Sequence, residues 1–223
     1  MGEKNKKGQE GFTLIELIIA VAILVMACIP LLQSFIVSNR MNVMGRQKEQ
    51  AMTVAENVCE GIKAVGPQSA YRWAETAEAK GVTDEEVTAL GYNIIPVNTG
   101  MTVSATSKTA DTRTGNFSNL EKPNSTEKLG SAYASVSYAD LDIYVHTFKL
   151  NNILLGKTYY DATVVMTQDL SDSETALATI LYKDLFSKYN VDVMKYFNIE
   201  VKVSLHGSAD TLATYTGSAI TKY

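Results

Sequence analysis

Cysteine is scarce in this chain of 223 residues, and its placement excludes an internal disulfide. Only Cys28 and Cys59 occur, and both fall within one stretch whose apolar pattern predicts a continuous helix. A helix would hold them about 46 Å apart, since each residue rises about 1.5 Å. Disulfide geometry tolerates a Cα separation of about 4.4–6.8 Å. Because no cysteine follows Cys59, a disulfide cannot stabilise the later part of the chain either.

Histidine is scarce as well, and the chain has no excess of basic residues. The formal net charge is −4 and the pI is about 5.3, so the basic footprint typical of a nucleic-acid-binding protein is missing. The two histidines, His146 and His206, fall on the polar phase of predicted strands, without a second histidine or a carboxylate pair at short spacing. We therefore interpret both as residues on strand surfaces rather than as metal ligands or catalytic bases.

Motifs of catalysis are absent as well. The sequence contains no phosphate-binding Gly-x-x-x-x-Gly-Lys, no nucleophile elbow and no cysteine paired with a histidine. Asp169, Asp172 and Glu174 lack the ligand alternation and the turn glycine of a calcium loop, and helix capping explains them better. The sequence therefore predicts no enzyme, no metal site and no cofactor.

What the chain does have is a long apolar run, Phe12 to Val37, that contains one charged residue, Glu16. The run is longer than the roughly 20 residues needed to cross a bilayer. It is also longer than the apolar core of a secretory signal, which has about 7–15 residues. A charged side chain in a membrane helix costs about 2.5–3.5 kcal/mol, so Glu16 predicts a functional site. Three basic residues lie on each side of the run, so the positive-inside rule does not orient it.

Residues Gly11–Leu17 read Gly-Phe-Thr-Leu-Ile-Glu-Leu. Together with the lysine-bearing leader and the apolar helix, they resemble the processing site of type IV pilin and pseudopilin precursors. This resemblance implies a leader over 1–11, cleavage by prepilin peptidase between Gly11 and Phe12, N-methylation of Phe12, and a role in assembly for Glu16. It also implies a transmembrane and filament-core helix over 12–37.

The same resemblance implies partners and a location. The partners are other pilin subunits, which pack through their N-terminal helices, prepilin peptidase, and an inner-membrane platform protein with its assembly ATPase. Before assembly the chain would cross the cell membrane once with a cytoplasmic N-terminus, and afterwards it would lie at the cell surface or in a pilus.

Glu16 has a physical reason to act in assembly. Cleavage after Gly11 would create an α-amine on Phe12, one helical turn from the carboxylate, where an amine and an acid can meet. A pair between the Phe12 amine of one subunit and Glu16 of its neighbour would neutralise both charges and select a partner. In a low dielectric such a pair penalises the unpaired state. We therefore predict that Glu16 sets the height of the neighbouring subunit.

The apolar run continues over 38–66 as a predicted amphipathic helix, with Pro30 expected to kink the helix. Its apolar positions recur at three- and four-residue steps: Met41, Met44, Ala51, Ala55, Val58, Cys59, Ile62 and Val65. Within it, Ala51–Ile62 is similar to a stretch in minor pilins of the V or I type. An ordinary helix with Glu56 and Glu60 on a solvated face is the alternative.

A globular domain is predicted over 67–206, and the predicted fold class is α+β, a long N-terminal helix packed on a C-terminal antiparallel sheet. Two short helices over 68–80 and 83–90 precede the sheet. A strand over 92–104, a long exposed loop over 105–131 and a helix over 171–189 are also expected. The strongest strand patterns are odd residues 141–147, even residues 160–166 and odd residues 199–205. Residues 207–223 are expected to be a polar, loose tail.

The sequence thus favours a pilin-like structural subunit, most readily a minor pilin or pseudopilin. Two alternatives stay open: the major filament subunit, and an adhesin or DNA-uptake module displayed on such a filament. A role in a pilus, in type II secretion or in competence cannot be separated, because all three use the same N-terminal segment.

Overall fold

The computed structural model describes residues 13–89, 98, 100–119, 121, 125–141, 143–169 and 194–222. The chain divides into two units, Met1–Gln47 and Lys48–Tyr223. The first unit, where described, is helical from Leu14 onward, and the second holds the sheet. The sequence placed the start of the globular domain at residue 67. That boundary stays a prediction; the compact unit that begins at Lys48 also includes the second half of the long helix, whose buried residues belong to its core.

Helix α1 spans Leu14–Val65 and includes Pro30. The backbone N–H of Leu17 donates to the Thr13 carbonyl at 3.1 Å, which closes the first turn. The kink expected at Pro30 stays a prediction. The predicted apolar stripe is correct from Ala51 onward, but Met41 and Met44 are exposed. The buried stripe consists of Ala51, Val54, Ala55, Val58, Cys59 and Ile62.

Five strands form one antiparallel sheet in the order β1-β4-β5-β6-β7. Their bounds are β1 Thr102–Ala110, β4 Tyr144–Leu155, β5 Thr158–Asp169, β6 Met194–Leu205 and β7 Thr211–Lys222. Two short strands, β2 Thr114–Gly115 and β3 Val136–Ser137, pair separately. The α+β class is therefore confirmed, with the buried stripe of α1 packed on the sheet.

The alternation predicted for β5 and β6 is confirmed by burial. Tyr160, Ala162, Val164 and Met166 of β5 and Ile199, Val201 and Val203 of β6 lie in the core. In β4, which begins at Tyr144, the predicted phase was wrong, since Phe148 and Leu150 are buried while Val145 and Thr147 are only partly covered. Ile143 is buried as predicted but precedes the strand, so its phase does not continue into β4. A bulge between Leu150 and Ile153, where Asn152 has φ 60°, shifts the buried position once more, to Ile153.

Two stretches expected to be irregular contain edge strands. Residues 105–110 belong to β1, and 211–222 form β7 rather than a loose tail. Their Ser- and Thr-rich sequences give a weak apolar signal because few large apolar side chains mark the inner face. In β7, between Thr211 and Ile220, only Ala213 and Ala219 are buried, and Tyr215 and Gly217 between them are partly covered. The predicted strand over 92–104 is confirmed only from Thr102, and residues 91–97 lie outside the described residues, as does the predicted helix over 171–189.

The two connecting helices are confirmed with small changes of bounds. Helix α2 spans Pro67–Lys80 and buries Tyr71, Trp73 and Ala77, which pack into the core beside β1 and β4. Helix α3 spans Glu85–Ala89. A capping bond to its first turn comes from Asp84, whose Oδ1 accepts the Glu86 N–H at 2.8 Å, one residue after the predicted start of the helix at Thr83.

Candidate functional site

The N-terminal part of α1 is the candidate site, and Glu16 lies in its first turn. The backbone N–H of Glu16 points to Thr13 Oγ1 at 3.4 Å. Between Leu14 and Asn39, Glu16 is the only aspartate, glutamate, lysine, arginine or histidine. Among the described residues no ion pair involves its carboxylate. Gly11 and Phe12, the predicted cleavage and methylation residues, lie outside the described residues.

The surroundings of Glu16 are apolar and uncovered. Every residue from 13 to 46 is exposed, including large side chains such as Leu14, Phe35 and Leu31, which are 69–79% accessible. In the described part of the chain, α1 is the one helix that is long and apolar enough to cross a membrane, by length and composition. Exposed apolar surfaces of this size are typical of segments that contact lipid or other helices.

The two histidines, predicted to be strand-surface residues, have different surroundings in the structure. His146 packs its ring against Tyr71 of α2 with centroids 4.5 Å apart, so the surface position predicted for it was wrong. His206 is half exposed, but its Nδ1 lies 2.9 Å from Oδ1 of the buried Asp161. The sequence missed this carboxylate because it is 45 residues away along the chain.

Asp161 serves as a structural acceptor rather than a base. It accepts the N–H of Asn152, at the β4 bulge, at 3.1 Å, and that of Gly207, in the β6–β7 turn, at 3.3 Å. Burial acts to raise the pKa of Asp161, but the His206 contact and the two N–H donors outweigh it and lower the pKa. The carboxylate therefore stays ionised and joins three segments of the sheet.

A second buried carboxylate, Asp111, has a comparable role. The Arg113 guanidinium donates to Asp111 from Nε at 2.9 Å and from Nη2 at 2.6 Å, and Nη2 also donates to the carbonyl of Gln168 at 3.0 Å. Burial acts to raise the pKa of Asp111, and the hydrogen bonds from Arg113 lower it overall. Arg113 also lies 4.9 Å from the Tyr138 ring centroid, so this pair fastens the short β2–β3 region to the sheet.

No arrangement suited to catalysis emerges from the described residues. They include no group of three or more His, Cys, Asp or Glu side chains that could hold a metal ion. The Cys59 thiol is buried, which raises its pKa and makes it a poor nucleophile. Three acidic residues were considered as calcium ligands. Asp169 ends β5, whereas Asp172 and Glu174 lie outside the described residues. An open recess of about 410 Å³ lies over β5, β6 and β7, and its lining consists of Val165, Thr167, Asn198, Ile199, Glu200, Thr216, Gly217 and Ser218.

The comparisons with known proteins bear on the N-terminal segment alone. Residues 6–32, which are 27 of the 223, match the family model described as the prokaryotic N-terminal methylation motif. No curated protein and no solved structure matches the chain. The motif is the prepilin signature of type IV pilins and pseudopilins, and it supports a type IV pilin-like protein that prepilin peptidase processes. With the apolar α1, it also indicates membrane anchoring and assembly with other pilins.

Proposed function

We propose that this type IV pilin-like chain is a minor pilin or pseudopilin, a structural subunit with no catalytic site. In this proposal prepilin peptidase cuts between Gly11 and Phe12, Phe12 becomes N-methylated, and the mature chain enters a pilus or a secretion pseudopilus. The observation that supports it best is a coincidence in one segment. The methylation motif over 6–32 overlaps the exposed apolar part of α1, residues 14–39, whose only charged residue is Glu16.

The exposed helix supports two successive environments for the subunit, first the membrane and then the filament. Before assembly, lipid covers the apolar side chains from Leu14 onward, because the run is long enough to span the hydrocarbon core. After extraction by a platform protein and its ATPase, the helices of neighbouring subunits take the place of lipid. In both environments the surface stays away from water, and the same residues serve as anchor and as filament core.

Glu16 selects how neighbouring subunits align during this transfer. A carboxylate in an apolar environment raises the free energy of any arrangement that leaves it without a partner. The amine that cleavage creates on Phe12 is the nearest complementary charge that a neighbouring subunit can offer. A Glu16–Phe12 pair between subunits therefore favours one axial offset over others that would pack equally well.

The minor-subunit assignment depends on residues 51–62 and is tested separately. Their similarity to minor pilins of the V or I type is the reason for it, and the stripe of Ala51, Ala55 and Val58 faces the sheet. The exposed Glu56 lies on the opposite side, where a neighbouring subunit can reach it. A minor subunit predicts trace amounts in sheared filaments, whereas a major subunit predicts that it is the dominant protein.

The assembly role is tested by substituting Glu16 in the full chain. We expect Glu16→Ala and Glu16→Gln to stay membrane-anchored and processed, but to fall at least about tenfold in the assembled fraction, since each loses the charge pair. Gln33→Ala, a polar exposed residue on the same helix, is the matched control and should assemble normally. Normal assembly of Glu16→Ala would contradict the proposal.

A further inference from the structure

The segment between β1 and β4 is closed at its base by the two strands themselves. They pair as neighbours up to Ala110 and Tyr144. The Asp111 N–H then donates to the Ile143 carbonyl at 3.0 Å. Residues 111–143, which we call the insertion, therefore leave the sheet and return to it at one point. Because the entropy of closing a loop changes only slowly with its length, β1 and β4 can stay paired when the interior of the insertion opens.

The insertion has backbone hydrogen bonds of its own. Strand β2 pairs with β3 inside it. The Phe117 N–H donates to the Tyr133 carbonyl at 2.8 Å, and the Gly130 N–H donates to the Ser118 carbonyl at 3.0 Å. Each of these bonds joins two parts of the insertion, and none of them holds a strand of the five-stranded sheet. Loss of these bonds therefore leaves the ladders of the sheet in place.

The insertion also has apolar packing of its own. Phe117 and Leu129 are only 6% and 8% exposed, but neither belongs to the apolar cluster that α1, α2 and the sheet form among the described residues. The Phe117 ring stacks on Tyr138 with centroids 6.3 Å apart. It also occupies the space where a side chain at Gly115 would begin. The main apolar cluster therefore does not depend on these side chains.

Arg113 fastens the insertion to the sheet. Its guanidinium donates to the Asp111 carboxylate, which is 3% exposed at the end of β1, and also to the Gln168 carbonyl in β5 at 3.0 Å. The Tyr138 ring, on the returning arm of the insertion, lies 4.9 Å from the same guanidinium. A planar group with several donors can make these contacts at once, which an ammonium group cannot. One side chain thus links both arms of the insertion to β5.

We propose that the insertion opens as one unit while the five-stranded sheet stays folded, and that the contacts of Arg113 with Asp111 and Gln168 hold it closed. Proteins open locally in cooperative units, and units that bury little apolar surface open more often than the whole domain unfolds. Opening exposes Phe117 and Leu129 to solvent. It involves the domain from Lys48 onward alone, so it is independent of N-terminal processing and of assembly.

Hydrogen exchange of the full-length chain in detergent tests the proposal. The reporters are the amides of Phe117 and Gly130 in the insertion, compared with those of the central β5–β6 ladder over 162–166 and 199–203. We expect the insertion amides to exchange together, at least about a hundredfold faster than the ladder amides. Exchange at equal rates in the two groups would overturn the proposal.

Two substitutions separate local opening from unfolding of the whole domain. Asp161→Asn removes contacts that stay formed when the insertion opens, so it should speed exchange of the ladder amides at least about fivefold and change the insertion amides by less than about twofold. Arg113→Lys weakens the closed state itself and should speed exchange of the insertion amides at least about fivefold. The control Lys128→Ala, an exposed cation of the insertion, should leave both groups unchanged. Equal acceleration of both groups by Asp161→Asn would show a single cooperative unit and refute the proposal.

Gly115→Ala gives an independent readout, because the added methyl group displaces the Phe117 ring. We expect the insertion amides to lose their protection while the ladder amides stay protected. The emission of Trp73, which is 2% exposed in the main cluster, should keep its wavelength. Loss of ladder protection together with a red shift of Trp73 would contradict the proposal, since the sheet would then need the insertion in order to fold.

Discussion

The packing of α1 on β7 yields a prediction that can be worked out in detail at Gly217. A Cβ at this position would lie 2.7 Å from Cys59 Sγ, where ordinary contacts are 3.4–4 Å, so the atoms must separate by about 0.7 Å or more. Cys59 is fully buried and cannot move away without disturbing the core. Lys63, the other close neighbour, has a flexible side chain that can rotate into solvent.

The expected effect is a coupling between two substitutions. Gly217→Ala should reduce the free energy of unfolding by about 1–2 kcal/mol, since overpacking costs about 1–3 kcal/mol and loss of glycine entropy in the unfolded chain returns a part. In a Cys59→Ala background the sulfur is gone, and the same change at Gly217 should be nearly neutral. The control Ser218→Ala, on the exposed face beside it, should change stability by less than about 0.5 kcal/mol in either background.

The assay is urea unfolding of the full-length chain in detergent, followed by Trp73 fluorescence. Trp73 is the single tryptophan and is 2% exposed, so its emission reports on the domain core. The four proteins of the double-mutant cycle give the coupling energy. Additivity of the Gly217 and Cys59 effects within about 0.5 kcal/mol would refute the close approach of helix and strand.

Three further predictions concern polar groups of the sheet. Asp161→Asn should lower the free energy of unfolding by about 1–3 kcal/mol near neutral pH, because the buried N–H donors lose a charged acceptor. Folding lowers the pKa of Asp161, so the stabilisation from this carboxylate is complete above the unfolded pKa of 3.8 and is lost as the pH falls through the folded pKa. The free energy of unfolding of Asp161→Asn should therefore depend less on pH in the acid range than that of the unsubstituted chain. Arg113→Lys should cost about 1–2 kcal/mol in urea unfolding, since lysine cannot reproduce the two-point contact with Asp111. Tyr160→Phe should cost about 0.5–1.5 kcal/mol by thermal unfolding, because the Tyr160 hydroxyl donates to Gln50 at 2.9 Å.

The parts of the fold with strong periodicity were predictable from the sequence. Strand β6 alternates from Phe197 to Leu205, β5 places Tyr160, Ala162, Val164 and Met166 at alternate positions, and the stripe of α1 from Ala51 to Ile62 repeats at helical spacing. Both patterns follow directly from burial of one face. The edge strands were not predictable in the same way, since β1 and β7 bury few side chains and their threonines resemble loop composition.

The polar residues of the chain likewise differ in how far the sequence alone could predict their roles. Glu16 stands out in sequence because a single carboxylate in an apolar run is improbable without a role. Asp161 does not stand out, because its N–H donors come from a bulge and a turn far along the chain. Asp111 has its partner Arg113 two residues away, but only the fold buries the carboxylate and brings Arg113 to the Gln168 carbonyl. The polar network of the domain is thus a product of tertiary structure, whereas the N-terminal segment carries its signal in consecutive residues.

The measurement that tests the account most directly is mass spectrometry of the mature N-terminus in membranes and in sheared filaments. The account predicts a chain that begins at Phe12 and carries one methyl group on its α-amine, present in both fractions and in trace amounts in the filament. A chain that keeps Met1–Gly11 and is confined to membranes would contradict it.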